Sequence, residues 1–94
     1  MFAVIFTSDL SADAADYEAA AEEMAERSRH QPGFVSIDSV RNAEGHGITV
    51  CIWESLEAIA AWRADARHLE AQATGRDRWY DRYDITVCEV LDHA

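Results

Sequence analysis

The stretch Phe34-Val35-Ser36-Ile37-Asp38-Ser39-Val40-Arg41, followed by Asn42-Ala43-Glu44-Gly45-His46-Gly47 and then Ile48-Thr49-Val50-Cys51-Ile52-Trp53, decides the fold. Its outer parts are rich in β-branched and aromatic side chains, which pack well on a pleated surface. Its middle is polar and carries two glycines. So short a connection between two strands makes an antiparallel hairpin.

Working outward, Gln31-Pro32-Gly33 marks the end of a preceding helix, because proline cannot continue one and glycine tolerates the reversal. That helix begins after Ser11 or Asp13, either of which can cap it, and runs to about His30. Tyr17, Ala20, Ala21, Met24, Ala25 and Ser28 recur on one helical face. Acids crowd its first half and Arg27 and Arg29 its end, as the helix dipole favours. Further upstream, Phe2 to Thr7 reads as a strand. Downstream of the hairpin, Ser55 can cap a second helix whose stripe is Leu56, Ile59, Trp62, Ala66, Leu69 and Ala73. Thr74-Gly75 breaks or bends it, and Arg76 to Arg82 is polar and aromatic, with room for one more helical turn. Tyr83 to Leu91 reads as the last strand. The order is β-α-β-β-α-β, the split βαβ or ferredoxin-like plan of the α+β class. It gives a four-stranded antiparallel sheet with both helices on one face, in a single domain over residues 1–94.

Composition removes whole classes of function. With Lys+Arg 8 against Asp+Glu 18, the formal net charge is −10. Such a surface repels phosphate backbones and anionic membranes, so neither nucleic acid nor a membrane is an expected partner. All eight basic residues are arginine. Without a lysine amine there is no Schiff-base catalysis, no pyridoxal phosphate anchor and no P-loop. Cys51 and Cys88 stand far apart and form no CxxC pair. Both fall in strands and read as buried small hydrophobes, able to neighbour each other if their strands pair. His30, His46, His68 and His93 show no metal-ligand spacing, and no metal is expected. The apolar start of the chain is short and lacks a basic flank, so it does not read as a signal peptide, and no run is long enough to span a membrane. A cytoplasmic protein with reduced thiols is the expectation.

The strands also speak about assembly. Phe2, Val4 and Phe6 share one face and Ala3 and Ile5 the other; Ile48, Val50 and Ile52 oppose Cys51 and Trp53; Ile85 and Val87 oppose Cys88 and Val90. A sheet with one wet face alternates apolar and polar residues, and these strands mostly do not. Two helices cover one face only, so a second subunit packing sheet against sheet is the simplest cover for the other. The second strand is weaker evidence, since Ser36 and Asp38 share a face.

Pro32-Gly33-Phe34, Gly47-Ile48-Thr49-Val50, Trp53-Glu54-Ser55-Leu56-Glu57-Ala58-Ile59, Ala61-Trp62-Arg63, His68, Ala71-Gln72, Gly75-Arg76, Trp79-Tyr80 and Tyr83 together carry a likeness. The chain resembles the antibiotic biosynthesis monooxygenase (ABM) family of dimeric α+β barrels over essentially its whole length, most specifically from Trp53 to Tyr83. The resemblance implies a homodimer whose two sheets form a barrel with helices outside, and a ligand cleft in each subunit between helices and sheet. The family includes monooxygenases of aromatic polyketides that need no cofactor, haem-degrading enzymes and quinol oxygenases. Fold alone does not choose among them. The haem-degrading pattern asks for an asparagine on the first strand and a histidine about three turns after Trp62. This chain has Thr7-Ser8 and a position near Gln72 there instead.

The residues suggest a site, each beside a plainer reading. Trp62 is either a pocket wall that stacks on a planar ligand or a core aromatic. His68 lies about 130° from the centre of the Ile59-Trp62-Ala66-Leu69 stripe, at about 100° per residue, which puts it at a helix flank or in solvent. At a cleft rim it is a candidate general base, and the family pattern has a histidine there. Trp79, Tyr80 and Tyr83 can close a pocket and donate hydrogen bonds to an oxyanion, or line a dimer interface. Tyr80 is the second candidate catalytic residue, and Trp62, Trp79 and Tyr83 are the candidate substrate-binding ones. Arg76, Arg78 and Arg82 either bind an anion or pair with Asp77, Asp81, Asp84 and the acidic first helix. The expected activity is monooxygenation of a small aromatic, phenol- or enol-like substrate without a cofactor. The rival reading is a dimeric binding or stress-associated module that performs no reaction.

Overall fold

A computed structural model describes residues 1–92. His93, counted above among the histidines, lies outside them. The chain runs β1 (Phe2–Leu10), α1 (Tyr17–Arg29), β2 (Phe34–Arg41), β3 (His46–Trp53), α2 (Leu56–Arg63), α3 (Ala66–Thr74), a π-helical turn (Gly75–Trp79) and β4 (Tyr80–Glu89). The four strands form one antiparallel sheet in the order β2-β3-β1-β4. The expected α+β, ferredoxin-like plan is therefore the fold of the chain. No helix among the described residues is long and apolar enough to cross a membrane.

Register fixes the two faces. Val4 stands opposite Cys51 on one side and Val87 on the other, and Phe2 opposite Trp53. Residues paired in register point the same way, so these side chains share a face. On that face Cys51, Trp53, Ile59 and Trp62 form the buried core, with Phe2, Val4, Met24, Phe34, Ile37 and Ala58 packed around it. Trp53 is fully buried and stands edge-on to Phe34 at 5.7 Å. The opposite face carries Ile5, Val50 and Ile52 in adjacent positions, with Ile48 and Val40 exposed at one end.

Several local expectations give way. Ser11 does not cap α1. Its hydroxyl accepts from the amide of Asp13 and donates to the carbonyl of Arg78, which ties the loop to the π-turn. The helix starts only at Tyr17, after Asp16, whose carboxylate is drawn away to Arg78 and Trp79. The second helix is two helices. α2 is capped by Ser55, which accepts from the amide of Ala58, a contact worth about 1 kcal/mol. It stops at Arg63, because Asp65 starts a new helix by accepting from the amides of Arg67 and His68. The same carboxylate takes both its contacts to Arg27 of α1 at 2.9 and 3.0 Å. β1 runs on through Asp9 and Leu10, and β4 begins at Tyr80 rather than Tyr83, because a bulge at Asp9/Leu10 lets Leu10 pair with Tyr80.

Gly33 closes the turn into β2 with φ +84°, and a Cβ there would sit 2.6 Å from the Cβ of Ala58. Glycine at this position is what allows α2 to lie close over the start of β2.

Candidate functional site

The break after Arg63 positions the first candidate group. α3 turns back across the C-terminal end of α2, and its side chains take up the carbonyls left free there. The Nδ1 of His68 is 3.0 Å from the carbonyl oxygen of Trp62, and the amide of Gln72 donates to the carbonyl of Arg63. A carbonyl can only accept, so Nδ1 carries the proton and Nε2 keeps its lone pair. The imidazole also stacks on the Trp62 ring, with centroids 4.1 Å apart and planes within 15°. Trp62 in turn stacks on Trp53 at 6.4 Å. Burial lowers the pKa of His68, more than its bond to the Trp62 carbonyl and the nearby Asp65 raise it. The ring is thus a neutral, half-buried imidazole with a defined tautomer. Its expected place at a flank or in solvent is corrected. The angle assumed one continuous helix, whereas His68 belongs to α3 and lies against Trp62. Trp62 itself is buried, with one face of its ring covered by His68.

A second aromatic group lies where β1, β4 and the π-turn meet. Phe6 stands edge-on to Tyr80 at 5.2 Å and contacts Tyr83 at 6.1 Å. Tyr17 of α1 meets both Trp79 and Tyr80 edge-on. Trp79, Tyr80 and Tyr83 thus come together. Trp79 is buried and its indole N–H donates to Asp16 at 2.9 Å, so that donor is already engaged. Burial and the adjacent Tyr17 phenol push the Tyr80 hydroxyl above the usual tyrosine range, which keeps it a proton donor. Tyr83 is 46% exposed. The Tyr80 ring packs directly on Gly75, where a Cβ would come within 2.6 Å. No ring contact joins this group to the Trp53–Trp62–His68 stack among the described residues.

Arg41 completes the second group, and the sequence reading missed it. Its guanidinium lies 5.0 Å from the Tyr17 ring centre and donates to the Tyr17 hydroxyl, the Ser8 hydroxyl and the carbonyls of Ser8 and Gly45. The register of β1 with β3 and of β3 with β2, together with the packing of α1, brings these partners together. Gly47 leaves room for it, since a Cβ there would fall 2.5 Å from the guanidinium carbon.

Beside α2, an open groove of about 540 Å³ is lined by Leu56, Ile59, Ala60, Arg63, Ala64 and Val87. It runs between α2 and the exposed edge strand β4. Its walls are apolar except for Arg63.

The remaining residues separate cleanly. Arg78 pairs with Asp13 and Asp16 in the segment before α1 and Arg82 with Asp9 of β1, so these two answer carboxylates distant in sequence rather than Asp77, Asp81 or Asp84. Cys51 and Cys88 do not neighbour each other. β1 lies between their strands, Cys51 faces the helices and Cys88 faces away. Cys51 is buried, as expected, and burial raises its pKa to about 11; Cys88 is exposed, which corrects the reading of it as buried. Among the described residues no cluster of three or more His, Cys, Asp or Glu could hold a metal ion.

Comparison with known proteins joins these features to a family. The family model for antibiotic biosynthesis monooxygenase matches residues 1–74. An uncharacterized protein of Bacillus subtilis, YqjZ, is 43% identical over 89 residues, spanning 95% of this chain and 78% of its own. The structure of Rv0793 from Mycobacterium tuberculosis superposes with a TM-score of 0.87 at 24% identity, over 99% of this chain and 97% of that one. SnoaB, a cofactor-independent oxygenase from Streptomyces nogalater, superposes with a TM-score of 0.82 at 15% identity, over 98% and 94%. At these identities the two structures share the fold with this chain.

Proposed function

Since the chain belongs to the antibiotic biosynthesis monooxygenase family, we propose that it is a cofactor-independent monooxygenase of a small aromatic substrate with an acidic phenol or enol. The observation that carries this reading is the Nδ1 contact of His68 to the Trp62 carbonyl, which leaves Nε2 as a base of fixed orientation. The Nε2 lone pair accepts the substrate proton, and an enolate forms. The electron-rich carbon then passes electrons to O2 and a C–O bond forms, giving a hydroperoxide once a proton returns. Loss of water breaks the O–O bond and leaves a carbonyl, so a methylene and O2 become a ketone and water. The chain contributes the base, a partly dry setting and a hydroxyl donor for the developing anion. Tyr80, held protonated, is that donor, and Trp62, Trp79 and Tyr83 act as walls.

The active form in this reading is a homodimer that packs the faces bearing Ile5, Val50 and Ile52 against each other. The two free thiols agree with a cytoplasmic setting. A binding role without turnover is the second reading. It is favoured by the engagement of the Trp79 indole with Asp16 and by the covering of the Trp62 ring by His68.

Oxygen uptake with a panel of anthrone-type substrates separates the two. Uptake above the spontaneous rate, lost in His68→Gln, is expected. Ligand binding with no uptake across the panel leaves the binding role in its place.

A further inference from the structure

We propose that Arg63 is the anion-selecting residue of the groove beside α2, and that the ligand of this groove is an apolar molecule bearing a carboxylate. The inference rests on the reading of the chain as a small-molecule protein and names the chemical class it takes.

The groove's lining explains the apolar body. Leu56, Ile59, Ala60, Ala64 and Val87 offer hydrocarbon, and Leu56 and Val87 are exposed at 52% and 39% with nothing among the described residues to cover them. Large apolar side chains left open in a concave lining are available to an apolar ligand. α2 presents Leu56, Ile59, Ala60, Arg63 and Ala64 at helical spacing, so they form one stripe along the groove.

Arg63 explains the charge. The chain holds 18 acidic residues against eight arginines, so a cation without an acidic partner is unexpected here. Arg27, Arg29, Arg67, Arg78 and Arg82 all pair with carboxylates, and Arg41 is wrapped by hydroxyls and carbonyls. Arg63 and Arg76 have no carboxylate within ion-pair distance among the described residues, and of the two only Arg63 lines the groove, where it is the one charged side chain among hydrocarbon. Its planar fork suits two-point contact with a carboxylate. The same charge reaches His68 on α3, where it opposes protonation of the imidazole. An acid anchored at Arg63 lies along α2, with its charged end at the C-terminal end of α2, where His68 of α3 contacts the Trp62 carbonyl.

The test compares anthracene carboxylate with its uncharged isostere anthracene methanol, titrated by ligand fluorescence against the full chain. The acid is expected to bind about tenfold or more tightly than the alcohol, the gain of one charge-assisted contact. Arg63→Gln should remove that preference while leaving the alcohol's affinity unchanged. Arg76→Gln, which alters a second arginine without an acidic partner among the described residues and outside the groove, should leave both affinities unchanged. Equal affinity of acid and alcohol, no binding of either, or a preference that survives Arg63→Gln overturns the proposal. Because the readout is binding, failure of oxygen uptake with selective binding intact would remove the oxygenase reading alone.

Discussion

The imidazole of His68 lies face to face with the indole of Trp62 at 4.1 Å, while its Nδ1 contacts the main-chain carbonyl of that same residue at 3.0 Å. One residue thus sets both the plane and the tautomer of the ring. Burial depresses the His68 pKa, so the ring is the neutral base at neutral pH. We expect kcat/KM to rise with pH and level off, with an inflection below the unperturbed value of about 6.5. His68→Gln should lower kcat by about 100-fold or more, the usual share of a general base. An inflection above the unperturbed value would assign the base elsewhere. Stability follows the same sign. With the folded pKa below the unfolded one, the unfolded chain takes up the proton first, so stability falls as pH drops from the unfolded value through the folded one. His68→Gln should make that decline shallower in urea denaturation.

Asp65 is the joint between α1, α2 and α3. Its carboxylate is held below the usual range first by the hydrogen bond from Arg27, with the amides of His68 and Arg67 adding to it. Its stabilising effect is present above the unfolded aspartate pKa and is lost as pH falls through the lower folded value. Asp65→Asn keeps an acceptor for the amides and loses the ion pair; Asp65→Ala loses both. Thermal midpoints should therefore fall in the order wild type, Asn, Ala, and the gap between wild type and Asn should close at acid pH. Identical midpoints for all three would show that another contact starts α3.

Gly75 and Tyr80 are interlocked. Gly75 has ordinary helical φ and ψ, so its requirement is for space and not for backbone freedom. Gly75→Ala would drive a methyl into the Tyr80 ring at 2.6 Å, and overpacking of this kind costs about 1–3 kcal/mol. Removing the ring should remove the penalty: in a Tyr80→Ala background, Gly75→Ala should be close to neutral. Additive losses in the double-mutant cycle would refute the contact.

The face carrying Ile5, Val50 and Ile52 can be probed by charge. Val50 stands directly opposite Ile5 near the middle of the sheet. Val50→Arg should convert a dimer to a monomer by light scattering, leaving the circular dichroism of the chain unchanged. Cys88, which points to the same side, reports independently. In the Val50→Arg monomer one thiol per chain should react promptly with a disulfide reagent, and in the wild type fewer. Cys51, with its thiol pushed to about 11 by burial, should react only on unfolding. A wild-type particle of single-chain mass would remove the dimer.

The two faces of each strand were readable because alternation needs no knowledge of partners, but with both faces apolar only the register and the helices show that Val4, Cys51 and Trp53 are the set facing the core. The order of elements and the family likeness followed from the hairpin and from the stretch around Trp53. The break between α2 and α3 was not read, because Ala66 and Leu69 continue the apolar spacing of Ile59 and Trp62 across it. The signal was present in Asp65, a good capping residue three positions before His68. With the break unread, the direction of His68 was drawn about the wrong axis. Arg41 was beyond reach for a different reason. Its partners Ser8, Tyr17 and Gly45 come from β1, α1 and the β2–β3 turn, and only strand register together with the packing of α1 brings them to one point. The groove was equally silent, since Val87 meets α2 only in the folded chain.

The acceptor that orients His68 is a peptide oxygen, and a peptide oxygen cannot be mutated away. Substitution can strip hydrophobic lining from this protein, or reverse the sign at position 63, without erasing the atom that tells the imidazole where to keep its hydrogen. The proton arrangement travels with the chain's path, while selectivity travels with its side groups. Descendants of such a chain are free to change the lining of the groove while inheriting unaltered the tautomer and plane of this imidazole.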